Sequence, residues 1–329
     1  MPALSFALAE IPLQLVSSAP VLIELLADYF RYYQPLTIES QLSNSAIQLT
    51  LNLCDTLPAR ESLLPADAQL FSHTGVIKVW HARQASQFYF DAGVAVFDLD
   101  TTAGRGTGFV SPAAMEHPRI LANTYVLFSL MLLLRARGLY HLHAAAVRSP
   151  QGKLCLFPGM SRGGKTTLTT ALGLAGWQPM ADDSLLLDNE GRLWPLRKEF
   201  HLDAQLLARW PQLAGAERQR YLNRVCISAL EFFDTAALAA QPFTQVAAIV
   251  LPQISEVAQS NAEPMPASAM LLKLAEQSVY LQLWREHTAR QFERLSQLVQ
   301  RAVTLRFFSG RDVLETPAQA AAILATALR

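Results

Sequence analysis

An apolar run over residues 154–157 leads into Gly159, Met160, Ser161, Arg162, Gly163, Gly164, Lys165 and Thr166, which fills every fixed place of the pattern G-x-x-x-x-G-K-[ST]. No other feature restricts the fold as strongly. Glycine lets a backbone curl tightly, so the pattern predicts a strand, a loop and a helix in direct succession, with loop N–H groups and the positive helix end aimed at one point. That arrangement suits an anion, above all a phosphate chain. Lys165 adds a point charge, the Thr166 hydroxyl suits the coordination shell of Mg²⁺, and Thr167 opens the helix. Leu168, Ala171, Leu172 and Ala175 recur at helical spacing, and Gly176 is placed to end the helix. A turn of this type that binds nothing is the plain alternative. The complete match behind a predicted strand favours a nucleotide site formed by Gly159, Ser161, Arg162, Gly163, Gly164, Lys165, Thr166 and Thr167.

Past that helix, residues 177–181 are expected as a short strand delivering Asp182 and Asp183. One carboxylate can serve Mg²⁺ while the other accepts a hydroxyl proton, and a solvated turn is the structural alternative. Strand alternation places the two on opposite faces, and the residues leave open which acid does which. His141 and His143 are expected on one strand, paired with the strand that feeds the loop, and hence on one side of it. A core or surface role is the default for either, and no further ligands at useful spacing accompany them for zinc. Arg197 and Lys198 follow a predicted hairpin and could approach the transferred group, with a solvated charge run as their default.

Length and composition set the frame. The 329 residues are a prior for two domains, and 51% hydrophobic against 16% charged residues is enough apolar surface to fold. The 27 basic residues balance the 27 acidic ones, so there is no global field for nucleic acid or an anionic membrane, and neither is expected as a partner. Cys54, Cys155 and Cys226 form no paired motif, and the N-terminus lacks a signal-peptide pattern, so a cytoplasmic location is expected. The apolar run over 125–134 is about half a membrane span and is read as a buried helix.

The boundary is placed between 118 and 119. Residues 1–118 are read as a small α+β domain: an extended run over 5–15, a helix over 21–33, and antiparallel strands in 46–53 and 75–97. Residues 119–329 begin with a helix to about Arg137, closed by Gly138. Hairpins follow, with turns at 149–152 and 188–191, then mostly helical segments past Gln205, a strand over 246–251, and a polar loop over 255–268. The chain closes as helix, strand, helix, with Phe292, Leu295, Leu298 and Val299 on one helical face. The fold class is thus α/β with α+β character.

Together, Leu142-His143-Ala144, the strand and loop up to Thr167, and Ala181-Asp182-Asp183 resemble the core of bacterial HPr kinase/phosphorylase and its relatives. The resemblance implies a phosphoenolpyruvate carboxykinase-like P-loop kinase domain with a largely antiparallel sheet. It implies ATP and Mg²⁺ as cofactors, and transfer of the γ-phosphoryl group to a hydroxyl, in the first place Ser or Thr of a peptide or protein. The catalytic residues implied are Asp182 as acid/base, Lys165, and His143 beside the acids, with Thr166 and Asp183 serving the metal. A homo-oligomer is a further implication, since related kinases assemble. Arg162 stands where the family usually has a small residue. A nucleotide-binding regulatory or peptide-binding module with little transfer activity, and a kinase of free serine, are the competing readings.

Overall fold

The start of the chain forms two antiparallel strands, β1 (Ala3–Leu8) and β2 (Ile11–Ser17), where one extended run was expected. Their turn is Ala9 and Glu10, with φ of 48° and 67°. Positive φ at both residues is what a tight hairpin needs, and Gly or Asn normally supplies it, so composition concealed the turn. The computed structural model describes residues 1–36, 46–64, 68–74, 77–82, 86–160, 162–221, 224–278 and 285–328. They fall into two units, Met1–Leu139 and Tyr140–Arg329.

In the first unit β3 (Ile47–Leu53), β4 (Ala68–Thr74), β5 (Ile77–Ala82), β6 (Gln87–Asp91), β7 (Ala95–Asp100) and β8 (Arg105–Val110) complete an eight-stranded sheet of order β1-β2-β3-β8-β7-β6-β5-β4. It is mixed, because β3 runs parallel to both β2 and β8. Gly75, where the second strand region was expected to begin, lies outside the described residues. Helix α1 (Pro20–Tyr29) packs on β1 and β2. The expected long helix comprises Pro118–Ile120, a π-type turn Leu121–Val126, and α2 (Leu127–Arg135), whose Leu130, Leu133 and Leu134 are buried. Gly138, at φ 80°, ends it as expected. Because α2 packs on β3 and β7, the division between units falls after this helix and not at 118/119.

The second unit adds further helices and, among the described residues, three sheets. Its six-stranded sheet has the order β12-β10-β11-β18-β20-β19, from β10 (Ala144–Arg148), β11 (Leu154–Pro158), β12 (Gln178–Ala181), β18 (Ala248–Ile254), β19 (Asn261–Pro264) and β20 (Val303–Ser309). The hairpin β10–β11 and the β10–β12 and β19–β20 pairs are antiparallel, whereas β11–β18 and β18–β20 are parallel. The sheet is therefore mixed where a largely antiparallel one was expected. Strand β19 lies in the expected polar loop, and its Pro264 is tolerated because the strand is an edge. Helix α3 (Lys165–Leu174) packs on β10 and β12, and α7 (Pro317–Ala327) packs on α3. Helices α5 (Ala267–Gln277) and α6 (Arg285–Arg301) pack on each other. In α6 Leu295 and Val299 are buried, but Phe292 is exposed.

Two small antiparallel sheets complete the unit. One joins β9 (Tyr140–Leu142), β13 (Leu185–Leu187) and β14 (Leu193–Pro195). The other joins β15 (Phe200–Asp203), β16 (Glu217–Tyr221) and β17 (Arg224–Ile227), with α4 (Ala204–Arg209) after β15. The sequence past Gln205 was read as helical, so β16 and β17 are a correction. The fold is α+β with several sheets, and among the described residues no helix is long and apolar enough to cross a membrane.

Candidate functional site

Strand β11 is buried along its whole length and ends at Pro158, so the chain leaves the sheet into the loop with no freedom to drift. Gly159 and Met160 follow, and Ser161, expected among the phosphate-binding residues, lies outside the described residues. Arg162 adopts φ 67°. Left-handed backbone at a residue that carries a Cβ is strained. Gly163 donates its N–H to the Met160 carbonyl at 3.0 Å, and a Cβ on Gly163 would come 3.0 Å from that same oxygen. Gly164, at φ 88°, is the N-cap of α3.

Replacing Gly164 with alanine meets two obstacles. The backbone is left-handed, and the new Cβ would come 3.3 Å from Ile254 Cγ1. We expect Gly164→Ala to cost about 1–2 kcal/mol of stability from backbone strain, and to weaken Mg²⁺–nucleotide binding at least tenfold because the loop must shift. Thermal unfolding together with equilibrium nucleotide titration checks both, and unchanged nucleotide affinity would contradict the role given to this bend.

Lys165 opens α3 and is 5% exposed. Its Nζ donates to the carbonyls of Gly159 at 2.6 Å and Met160 at 3.0 Å, and lies 3.2 Å from His143 Nε2. The ammonium thus spans the loop from inside. Burial lowers its pKa, and the charges of Asp183 and Asp182 oppose that shift.

Asp182 and Asp183 follow β12 at a bend, beyond the regular alternation, and both line one cavity of about 870 Å³ with His143, Lys165, Thr166 and Thr167. The opposite-face expectation therefore fails. Their environments nevertheless differ sharply. Asp182 is 2% exposed, and its Oδ2 accepts the His201 amide at 3.1 Å while its Oδ1 is buried without a hydrogen-bond partner. Burial and the neighbouring Asp183 charge raise its pKa to about 6, with the Thr166 hydroxyl, the Lys198 charge and the His201 amide pulling the other way. Asp183 has a side chain 26% exposed, and its Oδ1 takes an ion pair from Lys198 Nζ at 2.7 Å and a hydrogen bond from Ser184 Oγ at 2.8 Å. Burial would raise its pKa, but the Lys198 charge and hydrogen bond outweigh that and hold it well below the usual carboxylate range.

The histidines correct one expectation and keep another. Strand β9 pairs with β13, and only β10 pairs with β11, so His143 stands at a break between two sheets. Even so, the two rings stack with centroids 6.4 Å apart. His143 lies against Lys165 and has a backbone hydrogen bond to Asp183. Burial and the Lys165 charge lower its pKa, so it accepts from Lys165 as a neutral ring. His141 Nε2 is 3.2 Å from Ser184 Oγ, and burial brings its pKa down to about 3. Because Ser184 Oγ already donates to Asp183, it accepts from His141.

Sequence reading left Lys198 with a solvated charge as its default, but it is only 4% exposed and paired with Asp183. It also passed over His201, Arg209 and Arg224, which line the cavity. A signal was present in β15, where buried Phe200 and Leu202 alternate with His201 and Asp203 and so turn those two toward the cavity. No protein-family model matches the chain, and no match is found among curated proteins.

Proposed function

We propose that the chain is an ATP-dependent kinase that transfers the γ-phosphoryl group to a hydroxyl, foremost Ser or Thr of a peptide or protein, in the cytoplasm. The supporting observation is that a glycine-built bend at a helix N-terminus, Lys165 and Asp182, whose Oδ1 is buried without a hydrogen-bond partner, line the same cavity. The loop and the acids resemble those of HPr kinase/phosphorylase relatives, and the mixed sheet with antiparallel hairpins is compatible with the phosphoenolpyruvate carboxykinase-like P-loop fold of that group.

The residues fit Mg²⁺. The Thr166 hydroxyl and the Asp183 carboxylate are hard oxygen donors lining one cavity. Among the described residues no group of three or more His, Cys, Asp or Glu is placed to hold a metal, so phosphate and water would supply most ligands. When bound, the cation neutralises charge on the phosphates. The loop backbone from Arg162 to Gly164 and the α3 N-terminus hold the phosphate chain, and Lys165 stabilises charge developing on the transferred group. Thr166 and Asp183 serve the metal. Asp182 takes the acceptor hydroxyl proton on Oδ1, while the His201 amide fixes its other oxygen. Lys198 keeps Asp183 ionised.

The test is incubation with γ-labelled ATP, Mg²⁺ and a serine- and threonine-containing peptide library, with free serine as a separate acceptor. Label on peptide is the expected result. Nucleotide binding with no label on any acceptor would overturn the kinase reading in favour of a regulatory module.

A further inference from the structure

The cavity carries more positive charge than a nucleotide site on this loop uses. The loop amides, Lys165 and Arg162 lie where the phosphates are proposed to bind. Arg209, in the last turn of α4, and Arg224, the first residue of β17, line the same cavity on the separate β15–β17 sheet. Helix α4 packs on β15 and β17, so the two arginines belong to one small substructure. Among the described residues neither is in an ion pair. The nearest candidate for Arg224 is Asp203, directly across the ladder, yet Asp203 caps α4 by accepting the Gln205 amide at 2.9 Å. Arg224 Nη1 instead donates to the His201 carbonyl at 3.3 Å.

That contact ties the arginine to the chemistry. The residue whose carbonyl holds Arg224 is the residue whose amide holds Asp182 Oδ2. A molecule presenting its hydroxyl to Asp182 therefore meets a guanidinium anchored one residue away, with a second at the end of α4. Guanidinium forks match carboxylates, where two N–H groups meet two oxygens. On the kinase reading given above, we infer that the acceptor is acidic, a peptide segment with Asp or Glu beside its Ser or Thr, and that Arg209 and Arg224 select it.

The inference is tested on the full chain with two probes. The first is a peptide library with a fixed central serine and either Asp/Glu or Lys/Arg flanks, labelled from ATP. The second is a fluorescent acidic peptide with alanine for the serine, which reports binding without transfer. Acidic flanks are expected to raise kcat/KM at least tenfold over basic ones. Arg209→Glu, on an exposed side chain, and Arg224→Gln are expected to weaken binding of the alanine peptide at least tenfold while leaving Mg²⁺–nucleotide affinity within twofold. Binding of the acidic peptide without label transfer would remove the kinase reading and leave the acidic specificity standing. Labelling that ignores flank charge and is unchanged by both substitutions would overturn the inference and leave the kinase intact. Labelling of free serine alone would overturn it too.

Discussion

Replacing Lys165 with methionine is expected to lower phosphoryl transfer by on the order of 100- to 1000-fold, the loss typical when a buried group stabilising transition-state charge is removed. The same substitution should change stability far less. Methionine keeps the length of the stem, and it removes an ammonium whose burial is unfavourable, as the lowered pKa shows. Against that gain, the buried Gly159 carbonyl loses its 2.6 Å donor, a loss of about 1–3 kcal/mol. The opposing terms leave a net change of a few degrees in the unfolding midpoint. Transfer and structure are thus separable by measuring single-turnover label transfer, Mg²⁺–nucleotide affinity and thermal unfolding on one preparation. A folded Lys165→Met protein that transfers at the unaltered rate would remove Lys165 from the mechanism.

The parts of this site that the sequence made legible are local ones. Strand β11, the glycine bend, α3 and the acids after β12 lie within one short stretch, and each is specified by its own residues: apolar β-formers, glycines of which Gly164 takes the positive φ, and a helical apolar face. What escaped depends on contacts between distant residues. Lys198 looks like a solvated charge until the fold brings Asp183 to it, and burial then makes the pair. The run from Tyr140 to Arg148 looks like one strand, because nothing in its composition says that β13 claims its first half and β11 its second. The Ala9-Glu10 turn was hidden because the fold imposes positive φ on residues that do not prefer it. The same holds for Arg162 in the loop, where the residue pattern was legible but the left-handed backbone was not.

Asp182→Asn is expected to separate activity from stability in opposite directions. An amide cannot take the hydroxyl proton, so transfer should fall by about 100-fold or more, within the range for a lost general base. Loop amides and Lys165 are untouched, so nucleotide affinity should hold. Stability should rise at neutral pH. The folded pKa of Asp182 is about 6, above the ordinary carboxylate value of 3.8, so between those values the native state binds more protons than the unfolded one. Stability of the unaltered chain therefore falls as pH rises from about 4 to about 6, and the full cost of holding the ionised carboxylate buried is present above 6. Asparagine escapes that cost, a gain on the order of 3 kcal/mol at pH 7 that fades toward pH 4. The same titration governs the enzyme: kcat/KM should decline as pH falls through about 6, where Oδ1 takes up a proton. Urea unfolding at pH 4.5 and 7 and a pH–rate profile test both halves. An acid limb confined below pH 4.5, or an asparagine variant no more stable at pH 7 than at pH 4.5 relative to the unaltered chain, would show that Asp182 is neither buried with an open oxygen nor the proton acceptor.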